Sequence, residues 1–223
     1  MELDKWRILA HRGLWSETNQ QNKSEAISAA WNAGFSLEID IRDSSRTTVV
    51  SHDPINTGEA PLLEAILGSL NERVHPEHNQ VVALDIKADG LLGILPVCGS
   101  DIRDHFFFDM SIPEFQKYKS AHPKNLAVRL SEYEREINTY ATPFTWLWLD
   151  SFASDWWLDD PEETKKIEVL SQETAIVIVS PELHGRDPDR VWDYFLKGVD
   201  EGKNLYICTD FPDRLVELGQ RGV

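Results

Sequence analysis

Cysteines, long apolar runs and positive charges are all scarce in this sequence. Its 223 residues include two cysteines, Cys98 and Cys208, and no Cys-x-x-Cys motif. This usage excludes a disulfide framework and favours a reducing, cytoplasmic location. No uninterrupted apolar segment approaches the roughly 18 residues that a membrane span needs. Residues 1–6 also lack the basic and apolar regions of a secretory leader, so neither export nor a transmembrane segment is expected.

The shortage of positive charge limits the class of partner. The chain has 22 lysine and arginine residues against 38 aspartate and glutamate residues, a formal net charge of −16. Nucleic acids and anionic membranes are polyanions, so neither is expected as a bulk partner. A small anionic ligand in a local cationic pocket is compatible with this charge.

Short apolar runs alternate with helical patterns along the whole chain. The length suits one domain, residues 1–223, and 41% hydrophobic residues with eight tryptophans are ample for its core. Strands that alternate with helices favour a parallel α/β fold, and eight of them favour a closed (β/α)₈ barrel. The predicted strands are Arg7–His11, Leu37–Arg42, Val81–Lys87, His105–Asp109, Leu126–Leu130, Thr145–Asp150, Ala175–Ser180 and Leu205–Asp210.

Helical spacing of apolar residues predicts helices between most of these strands. The segment 89–104 has the weakest pattern, although its leucines suggest a short helix. The other predicted helices are an alanine-rich one stopped by Gly34, then Pro61–Leu70, Ile112–Ser120, Glu162–Leu170, Arg190–Lys197 and Pro212–Leu218, the last ended by Gly219.

The second predicted strand is followed too closely by another apolar block for a parallel crossover. Only Asp43–Thr48 separates it from Val49–Asp53, so the two should form an antiparallel hairpin over about residues 37–53, inserted at the mouth of the barrel. A turn centred on position 46 would set His52 across from Asp40.

Ionisable residues stand at the carboxyl ends of the first strands, where a barrel carries its active site. Glu38 and Asp40 are two apart on a strand and share a face. His11 and Arg12 end the neighbouring strand, and His52 arrives from the hairpin. The sequence therefore predicts that two carboxylates, two histidines and an arginine converge at one site.

Three further strand ends contribute candidates. Asp85 and Lys87 face the same way on an otherwise apolar strand, and because buried ion pairs stabilise poorly, a functional role explains them better. Glu182 and His184 follow the seventh strand and are candidates for substrate contacts, with a plain polar loop as the equal alternative. For Arg129, an ion pair with Glu132 or Glu134 is favoured over a phosphate contact.

Together these residues resemble the glycerophosphodiester phosphodiesterase family, within the wider phosphatidylinositol-specific phospholipase C-like superfamily of (β/α)₈ barrels. The resemblance implies metal-dependent cleavage of a small phosphodiester by two histidines. It also implies that the carboxylate of Asp85 lies on the metal and Lys87 on the phosphate, from the family's Glu-x-Lys. The motifs that carry the resemblance are His11-Arg12-Gly13, Asn22, the alanine-rich helix, Glu38-x-Asp40, His52-Asp53 and Thr209-Asp210-Phe211-Pro212.

The chemistry explains why such residues meet. A hard divalent ion, Mg²⁺ or Ca²⁺, bound by Glu38, Asp40 and Asp85 would neutralise the charge that grows on the phosphate oxygens. Arg12 and Lys87 would bind those oxygens. Imidazole side chains exchange protons readily near neutral pH, so His11 and His52 suit acid and base roles.

Two departures from the family keep other functions open. Gln21 stands where the family has a glutamate beside the arginine, and Ser44–Thr47 lacks the usual turn glycine. One alternative is a catalytically weakened barrel that binds a phosphorylated metabolite or a partner protein. Another is an unrelated barrel enzyme, such as a sugar-phosphate isomerase or an aldolase that uses Lys87 as a Schiff base, although an aldolase needs no paired histidines and carboxylates.

Overall fold

Eight parallel strands form a barrel in the computed structural model, which describes residues 3–55, 60–72, 79–95, 104–122, 124–136 and 146–221. Around the wall the strands follow the order β5-β4-β2-β1-β9-β8-β7-β6, and β3 pairs only with β2. The predicted (β/α)₈ barrel with its hairpin is confirmed. The strands are β1 Ile8–His11, β2 Ser36–Ser44, β3 Thr47–Val50, β4 Val82–Ile86, β5 His105–Phe108, β6 Ala127–Leu130, β7 Trp146–Leu149, β8 Ala175–Val179 and β9 Leu205–Thr209.

Helices occupy the connections as the sequence predicted, with two exceptions. Segment 89–104 contains a 3₁₀ turn at Leu91–Gly93, and residues 96–103 of that prediction lie outside the described ranges. The predicted stop at Gly219 is wrong, because the last helix runs to Arg221. The helices are α1 Ser24–Asn32, α2 Leu63–Asn71, α3 Ile112–Ala121, α4 Trp156–Asp159, α5 Pro161–Leu170, α6 Asp189–Asp200 and α7 Pro212–Arg221.

Gly219 is used for packing and not for termination. A Cβ at this position would lie 3.2 Å from Leu196 Cδ2 and 3.4 Å from Leu3 Cδ2. The absent side chain therefore lets α7 approach α6 and the N-terminal segment closely. Of the helices in the described ranges, none combines the length and the apolar character that crossing a membrane would take.

Strand alternation divides the core into two layers. Outward residues such as Ile8 and Ile39 pack against the helices, while inward residues fill the barrel. Aromatic rings dominate the inner layer on one side, where Phe108 stacks on Trp148 with ring centroids 4.0 Å apart. Because side chains alternate along each strand, the inward-facing positions continue to the carboxyl ends of the strands. Polar residues occupy these last positions and line the mouth of the barrel.

The hairpin is present, but its predicted register is wrong by one residue. Ile41 pairs with Val50, and the Ser51 N–H donates to the Asp40 carbonyl oxygen at 3.0 Å, so Ser51 and not His52 lies across from Asp40. The turn uses two residues, Ser45 and Arg46, with φ of +49° and +68°. Two-residue turns with positive φ match the twist of paired strands, and this one forms without glycine.

Candidate active site

The His-Arg-Gly motif reverses the chain at the end of β1. Arg12 and Gly13 both have positive φ, +59° and +93°. A Cβ on Gly13 would lie 2.5 Å from the backbone of Ala26, so glycine is the residue that this close approach to α1 permits. The Arg12 N–H donates to the Glu38 carbonyl oxygen at 2.9 Å. The turn therefore directs the Arg12 side chain back over β2.

Three buried carboxylates, the acidic nest of Glu38, Asp40 and Asp85, lie at the carboxyl ends of β2 and β4. Asp40 is directly opposite Asp85 in the parallel register. One oxygen from each carboxylate lies within 4.8 Å of the others, and the residues are 2%, 0% and 6% exposed. Each also keeps one buried oxygen that accepts no hydrogen bond from the described residues. Buried carboxylate oxygens are costly to leave without hydrogen bonds, so the nest suits a hard divalent cation.

Two cations accompany the nest without neutralising it. Arg12 Nε lies 2.8 Å from Asp40 Oδ2. Lys87 Nζ lies 2.6 Å from Asp85 Oδ2 and 3.3 Å from Asp40 Oδ1. If all three carboxylates are ionised, Arg12 and Lys87 leave the group with one net negative charge. A divalent cation would reverse the sign of that charge, and an anionic phosphate would then offset the excess positive charge.

The protonation equilibria of the nest reflect this crowding. Burial, reinforced by the Asp40 and Asp85 charges, raises the pKa of Glu38 well above its ordinary value. Burial likewise raises the pKa of Asp85 to about 7, although the Lys87 charge acts against it. Burial lowers the pKa of Lys87, but the neighbouring carboxylates outweigh it and the net shift is upward. Lys87 is therefore protonated at neutral pH, which disfavours the Schiff-base alternative because that chemistry needs a neutral amine.

Asn22 and Gln21 support the nest from the loop before α1. Asn22 has φ of +60° and is buried, and its Nδ2 donates to Asp40 Oδ2 at 2.7 Å. Asparagine tolerates the left-handed conformation better than most residues. Gln21 Oε1 accepts from Arg12 Nη1 at 3.3 Å, beside the arginine as the family resemblance implies. The loop thus fixes the orientation of both Asp40 and Arg12.

His11 is held by a carboxylate that the candidate set from sequence omitted. His11 Nδ1 lies 2.6 Å from Asp210 Oδ1, and its Nε2 lies 3.8 Å from Glu38 Oε2. Asp210 follows β9, which pairs with β1 in the register Ala10 to Thr209. Since the last strand of a barrel must close against the first, this pairing was accessible from the sequence. The Thr209-Asp210 motif indicated the position of this carboxylate in the sequence.

His52 lies immediately after the hairpin, one residue beyond Ser51. Its side chain is 46% exposed, and its Nδ1 lies 2.8 Å from Asp53 Oδ1. Ser51 connects it to the nest through the backbone bond to Asp40. The structure thus brings His11, Arg12, Lys87 and the acidic nest together, and His52 follows in the chain one residue beyond Ser51.

Glu182 and His184 lie on the other side of the mouth, after β8. Glu182 accepts from the hydroxyls of Ser180 and Thr209 and from the Asp210 N–H at 3.2 Å, so both its oxygens are used within the protein. His184 Nε2 lies 2.8 Å from Asp150 Oδ1. Glu182 therefore supports the residue that holds His11.

Arg129 forms the ion pair that the sequence favoured and adds a second one. Its Nε lies 2.5 Å from Glu134 Oε2, which confirms one of the two predicted partners. Its Nη1 pairs with Asp109, which has φ of +66° at the end of β5. Asp109 in turn lies 4.0 Å from Lys87 Nζ, so a line of alternating charges links Arg129 to the nest.

Comparison with known proteins supports the fold. No protein-family model matches the chain, and neither does any curated protein. Similar solved structures include a glycerophosphodiester phosphodiesterase from Agrobacterium tumefaciens, with TM-score 0.66 and 18% identity over 96% of this chain and 99% of that one. Another glycerophosphodiester phosphodiesterase, from Thermotoga maritima, has TM-score 0.61 and 17% identity, covering 95% and 97%. A Ca²⁺-dependent phosphatidylinositol-specific phospholipase C from Streptomyces antibioticus has TM-score 0.52 and 12% identity, covering 96% and 98%.

Proposed function

We propose that this protein hydrolyses a small phosphodiester with a divalent cation, Mg²⁺ or Ca²⁺, held by the acidic nest. The observation that carries the proposal is the set of buried carboxylate oxygens without hydrogen bonds, placed beside Arg12 and Lys87. The shared fold with two phosphodiesterases and a phospholipase C supports it. The net charge of −16 favours a small diester over nucleic acid, and the two cysteines favour a cytoplasmic setting.

The residues of the nest and its cations divide the work of binding. When bound, the cation would supply Lewis-acid neutralisation of the phosphate charge. Arg12 offers a planar fork of donors to two phosphate oxygens, and Lys87 adds a point charge. Asn22 holds Asp40 in place while the ligand enters. His184, at the far side of the mouth, is a further candidate for a substrate contact.

His11 serves as the base in this proposal. With its proton on Nδ1 donated to Asp210, its Nε2 is free to take a proton from the attacking hydroxyl. The Asp210 carboxylate then stabilises the imidazolium that forms. The attacking oxygen bonds to phosphorus, the bond to the leaving alcohol breaks, and His52 gives that alcohol its proton. Water as the attacker yields the monoester directly, and a neighbouring substrate hydroxyl yields a cyclic phosphate first.

Hydrolysis of bis(4-nitrophenyl) phosphate tests the proposal. We expect turnover with added Mg²⁺ or Ca²⁺, loss on chelation, and loss in His11→Gln. His122→Gln is the matched control, because His122 follows α3 and packs on Phe107, away from the nest. Turnover that survives chelation or His11→Gln would contradict the proposed roles.

A second candidate function is binding without turnover. The observations that favour it are Gln21 in place of a carboxylate beside Arg12, and the exposed position of His52. Such a protein would hold a phosphorylated metabolite or a partner protein at the same mouth. Cation binding measured by calorimetry, with no turnover of a broad diester panel, would select this alternative.

A further inference from the structure

Arg42 differs from the other half-buried arginines in having no acidic partner. Four such arginines have a nitrogen atom 3.9 Å or less from a carboxylate oxygen: Arg7, Arg12, Arg129 and Arg186. Arg42 is half-buried as well, but it has no carboxylate partner among the described residues. The chain has 38 acidic residues against 22 basic ones, so acidic partners are plentiful. A charge that is partly withdrawn from water without such a partner therefore indicates a place for an anionic ligand.

The strand register places Arg42 at the mouth, one step beyond the acidic nest. Arg42 is two residues after Asp40 on β2, so both side chains leave the same face of the strand, about 7 Å apart along it. Ile41 and Ile86 form the last pair between β2 and β4, and the Lys87 N–H donates to the Ile41 carbonyl oxygen at 3.0 Å. Arg42 therefore lies next to Lys87, on the side of the nest that opens to the mouth.

A backbone contact holds the Arg42 guanidinium in place. Its Nη2 donates to the Lys87 carbonyl oxygen at 2.9 Å. Its Nε is buried, and neither Nε nor Nη1 has a hydrogen-bond partner in the part of the chain that the structure describes. Arg12 and Lys87, in contrast, both contact carboxylates of the nest. Arg42 thus adds a positive charge beside the nest that none of these carboxylates contacts.

We propose that Arg42 binds a second oxyanion of the substrate, carried by one of the two alcohols of the diester. The inference rests on the proposed function, because it places the phosphodiester at the nest with Arg12 and Lys87. A guanidinium binds oxyanions through charge-assisted hydrogen bonds. A neutral alcohol would leave the charge of Arg42 without a counterion, so the enzyme prefers a diester with an anionic arm.

Two 4-nitrophenyl phosphodiesters of similar size test the inference, one with a 2-carboxyethyl arm and one with a propyl arm. We expect kcat/KM of the wild type to be on the order of tenfold higher for the carboxyethyl ester, through a lower KM. In Arg42→Gln the ratio of the two kcat/KM values should fall to about one. Arg46→Gln is the matched control, since Arg46 is an exposed arginine in the turn of the same hairpin, and it should keep the wild-type ratio. Arg42→Met, which keeps the aliphatic stem, replaces Arg42→Gln if that variant does not fold.

The outcomes separate this inference from the proposed function. A wild type without the preference, or a preference that survives in Arg42→Gln, would overturn the role of Arg42 while the hydrolysis stands. An equal loss in Arg46→Gln would also overturn it, because the effect would then come from net charge.

If neither ester is hydrolysed, the proposed function fails, and calorimetry decides the role of Arg42. 3-Phosphonopropionate and propylphosphonate are titrated into the wild type and the same variants. Tighter binding of 3-phosphonopropionate that only the Arg42 variant loses would support the second oxyanion site. Equal binding of the two phosphonates by the wild type would overturn it.

Discussion

The two sides of the barrel mouth use the same kinds of residue and pair them differently. On the β2–β4 side, Glu38, Asp40 and Asp85 are buried, and each keeps an oxygen without a hydrogen bond from the described residues. On the β8–β9 side, Glu182 accepts three hydrogen bonds and His184 is paired with Asp150. Buried polar groups are normally satisfied, so a satisfied network supports the fold and an unsatisfied one marks a place for a ligand.

The contrast between Glu38 and Glu182 makes this difference testable with one substitution. Both are glutamates at the mouth of the barrel. Glu38 has its pKa raised by burial, so its charge is costly in the absence of a ligand. Glu182 is held by hydroxyls and a backbone N–H, so its oxygens are needed as acceptors. The same change to glutamine should therefore act on function at one position and on stability at the other.

Glu38→Gln carries the largest expected effect on activity. Loss of one nest carboxylate should lower kcat/KM by on the order of 10³-fold or more, because several kcal/mol of charge stabilisation is lost with the cation. The melting temperature of the metal-free protein should stay level or rise, since a buried charge is removed. On the purified variant, kcat/KM is measured with added cation and the melting temperature is measured in chelator. A fall in melting temperature would show that Glu38 is part of the scaffold.

Asp210→Asn should have the next largest effect. Without the carboxylate, His11 loses the partner that orients it and stabilises its charged form, and kcat should fall roughly 10²-fold with little change in KM. Asp213→Asn, an exposed position on α7, is the control and should leave kcat unchanged. Equal kcat in the two variants would remove Asp210 from the mechanism.

Cation affinity should depend on pH through Asp85. Its pKa is raised to about 7, so below pH 7 the cation must displace a proton and Kd should rise up to about tenfold per pH unit. The contribution of Asp85 to the stability of the metal-free fold has the opposite dependence: a raised folded pKa favours the protonated form, so this contribution is fully present below about pH 4 and is lost as pH rises through 7. Calorimetry from pH 5 to 8 measures the first. A Kd independent of pH would show that no nest proton is displaced.

Strand positions were predictable from the sequence because they depend on local pattern. Apolar runs with ionisable residues at their ends located all eight wall strands within two residues, together with the pairing of Asp85 and Lys87. The hairpin register was not predictable in this way, because it depends on where the chain turns. Ser45 and Arg46 adopt positive φ without glycine, which moved the turn centre by half a residue and put Ser51 opposite Asp40.

Partnerships between distant segments were harder to predict. The Asp210 contact with His11 joins residues 199 apart and exists only because the barrel closes. The use of Glu182 as a support for Asp210 depends on atomic positions that no sequence pattern encodes.

Glu182→Gln tests the β8–β9 side of the mouth, where both carboxylate oxygens of Glu182 accept hydrogen bonds. An amide offers one acceptor oxygen where the carboxylate offered two, so one donor among Ser180, Thr209 and Asp210 would be left unpaired. We expect a loss of about 1–3 kcal/mol in the free energy of unfolding, and a several-fold loss of kcat as Asp210 becomes less well held. Denaturant unfolding and steady-state kinetics measure the two effects. Unchanged stability with a large rise in KM would instead assign Glu182 a substrate contact.

Gln21→Glu carries the smallest expected effect. It tests why the β2–β4 side of the mouth, where buried carboxylate oxygens lack hydrogen bonds, has a neutral residue beside Arg12. The added carboxylate would lie where Gln21 Oε1 now accepts from Arg12 Nη1 at 3.3 Å. It would add negative charge near an already acidic nest, so cation affinity should rise a few-fold, while Arg12 would be drawn from the phosphate and KM should rise by a similar factor. Gln20→Glu, one residue earlier and exposed, separates this local effect from a change in net charge. If only Gln21→Glu strengthens cation binding, the neutral side chain at position 21 has kept Arg12 available to the substrate at the cost of metal affinity.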